Sequence, residues 1–312
     1  MTSGHAVAVA VFGAGRMARA HATAWAALGV PVRWIVSPRR RQELWDDAEL
    51  GLGSARWTDD PAEALADADV TIASICTPTP THRLLAEQAL RAGRHVLLEK
   101  PIALTLEDAL ALQTVADEAP GILMVAHVVR FFAGYAELAD RIAAGAVGRP
   151  RAVQAHRLSA APEGADWLHD EERSGGVLVD FAIHDLDQAN AVLGRPIAVT
   201  SIAAGGVGTG FDGAISTTVE YADGGVAQVL SAVDLPAGTP FRTGFTVVGT
   251  DGVDAAAGAD GDPFVAQAAY FLACVESGAA PRRAPVSAAV AALRLALAAR
   301  ESLHSGRRVE LS

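Results

Sequence analysis

The stretch GGVLVDFAIHDLDQ, Gly175 to Gln188, sets Asp180 four residues before His184. Four residues is about one helical turn, so a helix would carry the carboxylate and the imidazole on one face. Ile183, Leu186 and Leu193 fall on a different stripe and suit a core. The titratable pair is therefore presented rather than packed. A helical ion pair near the surface has the same spacing, so other parts of the chain must decide between the two readings.

A second candidate is Lys100, in VLLEKPIAL, where Glu99 and Lys100 end an apolar run and Pro101 follows. In an open parallel sheet, ligands bind beyond the carboxyl ends of the strands. A lysine there can contact a substrate hydroxyl, and its charge favours a developing alkoxide. Pro101 fixes the following turn and is a candidate for a cis peptide.

A third is the glycine turn VAVFGAGRMARA, with Gly13, Gly15 and Ala18 in a G-x-G-x-x-A pattern between a strand and a helix. Gly13 permits the tight turn, Gly15 lets backbone approach a pyrophosphate, and Ala18 allows close helix–strand packing. The helix N-terminus then stabilises the anion. At the first strand–helix junction of an alternating series, this reads as dinucleotide binding. The next strand should deliver the residue that meets the ribose. It ends IVSPRRR, with Ser37, Arg39, Arg40 and Arg41 and no carboxylate. That suits the 2′-phosphate of NADP better than the 2′-hydroxyl of NAD.

The elements that must position these residues are legible as patterns. Apolar runs at 7–12, 32–36, 70–76, 95–99 and 122–127 read as buried strands. Helical segments alternate with them: 16–28, about 40–50, one capped by Asp60, 81–93, and one with Thr105 and Asp108 at capping-box spacing. This predicts an α/β Rossmann domain, doubly wound on a parallel sheet, over residues 1–120. Longer strand-like runs follow, with hairpin signals at Ala222–Gly225 and Gly249–Gly252. They predict an α+β domain with a largely antiparallel open sheet over residues 121–312. Helices are expected at 135–144, 179–193, 263–277 and 286–305, and Gly208–Gly213 as a loop.

With 312 residues, half of them hydrophobic, the chain has material for two cores. A net charge of −11 argues against nucleic-acid binding. Neither a signal peptide nor an apolar run of the roughly 20 residues needed to span a bilayer is seen, so no membrane partner is expected. Two cysteines, Cys76 and Cys274, suit a reducing cytoplasm, and Cys76 reads as a small buried residue. No metal-ligand motif is recognisable among the histidines.

Together the motifs resemble the glucose–fructose oxidoreductase/inositol dehydrogenase (Gfo/Idh/MocA) family. VFGAGRMARAH is similar to its glycine fingerprint, EKP at Glu99–Pro101 to its lysine motif, and GGVLVDFAIHDLD to its D-x-x-x-H helix. CTPTPTH, Cys76 to His82, resembles the loop after its fourth strand, and PVSAAVAALRLALAARESLHSGRRVEL its C-terminal helix and last strand. The resemblance covers nearly the whole chain, in order. It implies dehydrogenation of a hydroxyl on a sugar, polyol or related small molecule. His184 would be the general base, Asp180 would orient and tune it, and Lys100 would position the hydroxyl. Cofactor contacts are implied at Gly13, Gly15, Arg16, Met17, Ser37, Arg39, Arg40, Thr77, Pro78, His82, Glu99 and Lys100. Gly175 and Gly176 would let backbone lie close to ligand.

His127, Arg130, His156 and Trp167 are further candidates to shape the substrate pocket, Trp167 by stacking on a sugar face. Each is equally a structural residue on sequence alone. Two rival functions are a dinucleotide-binding regulator without turnover and a reductase of an imine or unsaturated ring. An open antiparallel sheet also leaves a face needing cover, which predicts a homo-oligomer, dimer or tetramer.

Overall fold

A computed structural model describes residues 7–40, 45, 55–160, 168, 170–204, 213–258 and 260–311. The chain divides into two compact units. The first comprises 1–131 and 261–286, the second 132–260 and 287–312. This differs from a single cut at residue 120. The sixth strand belongs to the first sheet, and the helix Pro263–Ser277 returns to the first unit. The reason is packing: Ala268 and Phe271 of that helix share a core with Ala18, Ala22 and Trp25 of the helix Arg16–Ala27.

In the first unit, β1 (Val9–Phe12), β2 (Val32–Val36), β3 (Arg56–Thr58), β4 (Ile72–Ile75), β5 (His95–Glu99) and β6 (Leu123–Ala126) form a parallel sheet in the order β3-β2-β1-β4-β5-β6. Order reverses between β1 and β4, which is where such sheets bind ligands. β1 and β4 are buried at every position, which explains their lack of polar alternation. Strand β3 has no sequence signal because it is three residues long and reads Arg-Trp-Thr. The helices start where their caps predict. Asp60 accepts from the Ala62 N–H at 2.9 Å, and Thr105 accepts from the Asp108 N–H at 3.1 Å. Of the helix expected near 40–50, residues 41–44 and 46–50 lie outside the described residues, as do 208–212 of the expected loop.

In the second unit, β7 (Pro150–Ala160), β8 (Pro196–Ala203), β9 (Ala214–Tyr221), β10 (Val226–Leu235), β11 (Arg242–Gly249), β12 (Val253–Ala255) and β13 (Val309–Glu310) form one sheet ordered β12-β11-β7-β10-β9-β8-β13. β7 and β10 run parallel, and the other neighbouring pairs are antiparallel. The Ala222–Gly225 hairpin closes with the Tyr221 N–H donating to the Gly225 carbonyl at 2.9 Å. Helices Ala133–Ala143, Ile183–Leu193 and Val286–Ser305 complete the unit.

One expected element is different in kind. The single helix expected over 179–193 is a π-helical turn, Val177–Phe181, followed by an α-helix from Ile183. The Ala182 N–H reaches back five residues to the Val177 carbonyl at 2.8 Å, which widens the turn. Asp180 sits in the wide turn and His184 in the first turn of the α-helix. They are therefore not simply stacked one α-turn apart.

Candidate functional site

The glycine turn is built against the loop that follows β4. Gly13 has φ +107°, and a Cβ there would stand 2.7 Å from the Cys76 carbonyl oxygen. Only glycine fits. Gly15 is a different case. It is extended, and a Cβ on it would meet nothing of the chain within 4 Å. The space in front of Gly15 is thus left open by the protein itself. The helix that starts at Arg16 has no side-chain cap and no acidic residue in its first turn, and Arg16 and Met17 are exposed. Open N–H groups at the positive end of a helix, facing free space, fit a dinucleotide pyrophosphate.

At the end of β2, the Arg39 N–H donates to the Ser37 Oγ at 3.2 Å and the hydroxyl donates to the Arg39 carbonyl at 2.9 Å. Ser37 therefore shapes the turn that presents the exposed Arg39 and Arg40. The Arg40 guanidinium lies 5.6 Å from the centre of the Trp57 ring. Trp45 meets Trp57 edge-on at 5.6 Å, and its indole N–H donates to the Ala14 carbonyl at 3.2 Å. Neither tryptophan was singled out in the sequence. Trp57 lies on the strand that has no sequence signal.

Lys100 follows β5, and the Lys100–Pro101 peptide is cis. β5 and β6 pair Glu99 with Ala126, so His127, one residue on, stands beside Lys100 along the sheet edge. Glu99 is buried. One of its oxygens lies 2.9 Å from His21 Nε2, and the other accepts from the Lys100 N–H at 3.1 Å. His21 Nδ1 lies 2.9 Å from the Ser74 hydroxyl. Burial disfavours the imidazolium of His21, but the Cys76 sulfur and the Glu99 carboxylate outweigh it and push the pKa up to about 10. Burial likewise opposes ionisation of Glu99, yet His21 and the Lys100 charge hold its carboxyl below the usual range. Burial pushes the Cys76 thiol up. His21 was not anticipated. Its signal was a histidine on the first helix four residues after Met17, which no motif rule singles out.

His82 is also buried, with Nδ1 and Nε2 at 2.8 and 2.9 Å from the carbonyl oxygens of Pro101 and Thr77. Burial pushes its imidazole pKa down. Glu99 and His82 were expected at the cofactor, and their contacts here are internal. Their polar atoms are engaged within the protein, and they brace the loops carrying Lys100 and Thr77. Arg130 has a similar part, donating to the Arg283 carbonyl at 2.7 Å. Thr77 and Pro78 take part in the turn closed by the Thr81 hydroxyl, which lies 2.7 Å from Thr77 Oγ1 and 2.8 Å from the Pro78 carbonyl.

In the second unit, Asp180 and His184 are both half-buried. Ile183, Leu186 and Leu193 are buried, as their stripe requires. Gly175 and Gly176 both have positive φ, and a Cβ on Gly175 would stand 2.6 Å from Val179 Cβ. The chain's own packing thus requires glycine at 175. Asp185, next to His184, is held by Arg157 of β7 through two hydrogen bonds of 2.8 and 2.9 Å. His156 lies on the other face of the sheet. Side chains alternate along a strand, so His156 faces away from the sheet face on which Arg157 meets the helix bearing His184. There it packs on Gly244, whose missing Cβ leaves room for the ring. Trp167 lies outside the described residues.

The first unit thus gathers Gly13, Gly15, Arg16, Met17, Thr77, Pro78, Lys100 and His127 at the carboxyl edge of its sheet. The second sets Asp180 and His184 at the start of one helix. Residues 7–127 match the family model for the Gfo/Idh/MocA oxidoreductase family, NAD-binding Rossmann fold, and residues 135–253 match the Gfo/Idh/MocA C-terminal domain. The chain belongs to the Gfo/Idh/MocA oxidoreductase family. It resembles the scyllo-inositol 2-dehydrogenase (NAD(+)) of Bacillus subtilis strain 168 at 28% identity, covering 98% of this chain and 97% of that one. It is 36% identical to the 1,5-anhydro-D-fructose reductase of Ensifer adhaerens over 61% of this chain and 58% of that one. Among solved structures, GenD2 from gentamicin A biosynthesis, in complex with NAD, superposes with a TM-score of 0.85 at 27% identity, over 98% of this chain and 96% of that one. This Gfo/Idh/MocA member is an oxidoreductase with a nicotinamide-dinucleotide-binding domain.

Proposed function

We propose that the protein dehydrogenates a hydroxyl of a sugar, inositol or similar polyol, or reduces the matching carbonyl, with Lys100, Asp180 and His184 as its catalytic residues. What supports this reading is that a lysine stands just past a buried strand end, an aspartate in a π-turn and a histidine at the next helix start. The names of the relatives support the substrate class. His184 takes the hydroxyl proton, Asp180 orients and tunes the imidazole, and Lys100 holds the oxygen and favours its negative charge. A bound nicotinamide would supply the acceptor for the hydride leaving the carbon that bears the hydroxyl, so the substrate would lose one proton to His184 and one hydride. His127, beside Lys100, is a further candidate to line the substrate pocket in the first unit.

For the cofactor we favour NADP over NAD. The support is the turn that Ser37 shapes, the exposed Arg39 and Arg40 it presents, and the absence of a carboxylate at the end of β2. A cytoplasmic setting is favoured by the unpaired thiols of Cys76 and Cys274. Assembly with a second copy of the chain is favoured by the sheet face opposite its helices. There Gln154 pairs with Gln228, and Leu230 and Ile202 are exposed.

The test follows nicotinamide absorbance with both oxidised cofactors and a panel of inositols, aldoses and sugar acids, and the reverse reaction with the matching ketoses. Turnover is expected, faster with NADP. Lys100→Met and His184→Ala should each lower it by about 100-fold or more while nucleotide affinity changes little. Tight nucleotide binding with no turnover in either direction would favour a regulator, and full activity in both variants would remove these residues from the mechanism.

A further inference from the structure

We infer that Arg157 is a positioning residue that sets the orientation of both Asp180 and His184 through their sequence neighbours. The inference rests on the reading of these two as catalytic. Arg157 lies on β7, paired on one side to Ser231 of β10 and on the other to Thr243 of β11. Its backbone is thereby fixed from both sides. Its guanidinium forks onto the Asp185 carboxylate, with Nε at 2.8 Å from one oxygen and Nη2 at 2.9 Å from the other. Both side chains are buried, at 3% and 0% exposure. The guanidinium carbon also lies 5.8 Å from the centre of the Phe181 ring. Asp185 directly follows His184, and Phe181 directly follows Asp180. One side chain thus touches the neighbour of each reactive residue.

The two contacts fix different things. A bidentate fork is planar, so it holds the first turn of the helix against both shift and rotation about its axis. The contact with Phe181 holds the π-helical turn, where an extra residue per turn would otherwise leave Asp180 free to slide into α-helical register. A buried ion pair is a poor device for stability, because apolar residues of similar volume often serve as well or better. Its geometric precision is what apolar packing does not replace. Burial and the nearby Asp185 carboxylate also push the Tyr135 phenol up, so the pair has no ionised neighbour there near neutrality.

The test separates orientation from folding. The double variant Arg157→Met/Asp185→Leu removes both charges together, so no unpaired charge is left buried. Histidine rings are isotope-labelled, and the His184 signal is assigned by its loss in His184→Gln. In the folded double variant the His184 ring signal should shift or broaden while those of His21 and His82 stay in place. For the panel member that the wild type turns over fastest, kcat should fall at least tenfold with KM changed less than threefold. An unchanged kcat overturns the inference, and so does a fall in kcat with an unmoved His184 signal. If the double variant does not fold, Arg157→Lys decides. It keeps the charge and loses the fork, and a wild-type kcat or an unmoved signal overturns the inference. Full turnover in His184→Ala would instead defeat the underlying reading of the site. Loss of turnover there, with full turnover in the double variant, defeats this inference alone.

Discussion

The buried Glu99 carboxylate, next to Lys100, needs a counter-charge, and His21 supplies it at 2.9 Å. The pair has a definite pH signature. The folded pKa of His21 lies above the free value of 6.5, so its contribution is full below pH 6.5 and fades as pH rises toward about 10. Glu99 is shifted below its free value of 4.5, so its contribution is full above pH 4.5 and is lost in more acidic solution. The pair therefore stabilises most between those two free values. His21→Asn should cost about 3 kcal/mol or more there, since it strands a buried charge. Melting curves of both proteins at pH 6 and pH 9.5 should show the larger gap at pH 6. A gap that does not shrink at pH 9.5 would mean the pair is not ionised.

At the scale of the element, the nucleotide turn and the helix caps answer to different demands. Gly15 has ordinary extended backbone and open space at its Cβ position, so Gly15→Ala should leave stability unchanged. It should weaken nucleotide binding about tenfold or more, because the methyl enters the space a pyrophosphate would use. Thr105→Ala is the mirror case. It removes the cap of the helix Leu106–Glu118 and should cost about 1 kcal/mol without altering nucleotide affinity. Denaturant melts and nucleotide titrations of both variants would separate the roles, and equal affinity in Gly15→Ala would place the pyrophosphate elsewhere.

For the whole molecule, the question is what covers the outer face of the second sheet. Ile202 is 68% exposed, in register with Ser216, and Ser216 with Leu230. If a second copy covers this face, sedimentation should give the mass of a dimer or tetramer, and Leu230→Glu should lower it. A wild-type monomer at working concentration would rule out that assembly. Among the described residues, no helix is long and apolar enough to cross a membrane.

The sequence by itself determined what depends on neighbours along the chain. Strand β7, the helices Pro263–Ser277 and Val286–Ser305, the caps at Asp60 and Thr105, and the glycine turn were all legible, because periodicity and capping are local. Lys100, Asp180 and His184 were singled out from local motifs in the same way. Tertiary structure decided what depends on distant partners. That His21 faces Glu99, 78 residues away, and Arg157 faces Asp185 follows from strand order and register, which no local pattern encodes. It also turned His156 to the far face and gave the helix at 263–277 to the first unit. The π-turn fell between the two cases. Its glycines were visible, but no local propensity marks a widened turn.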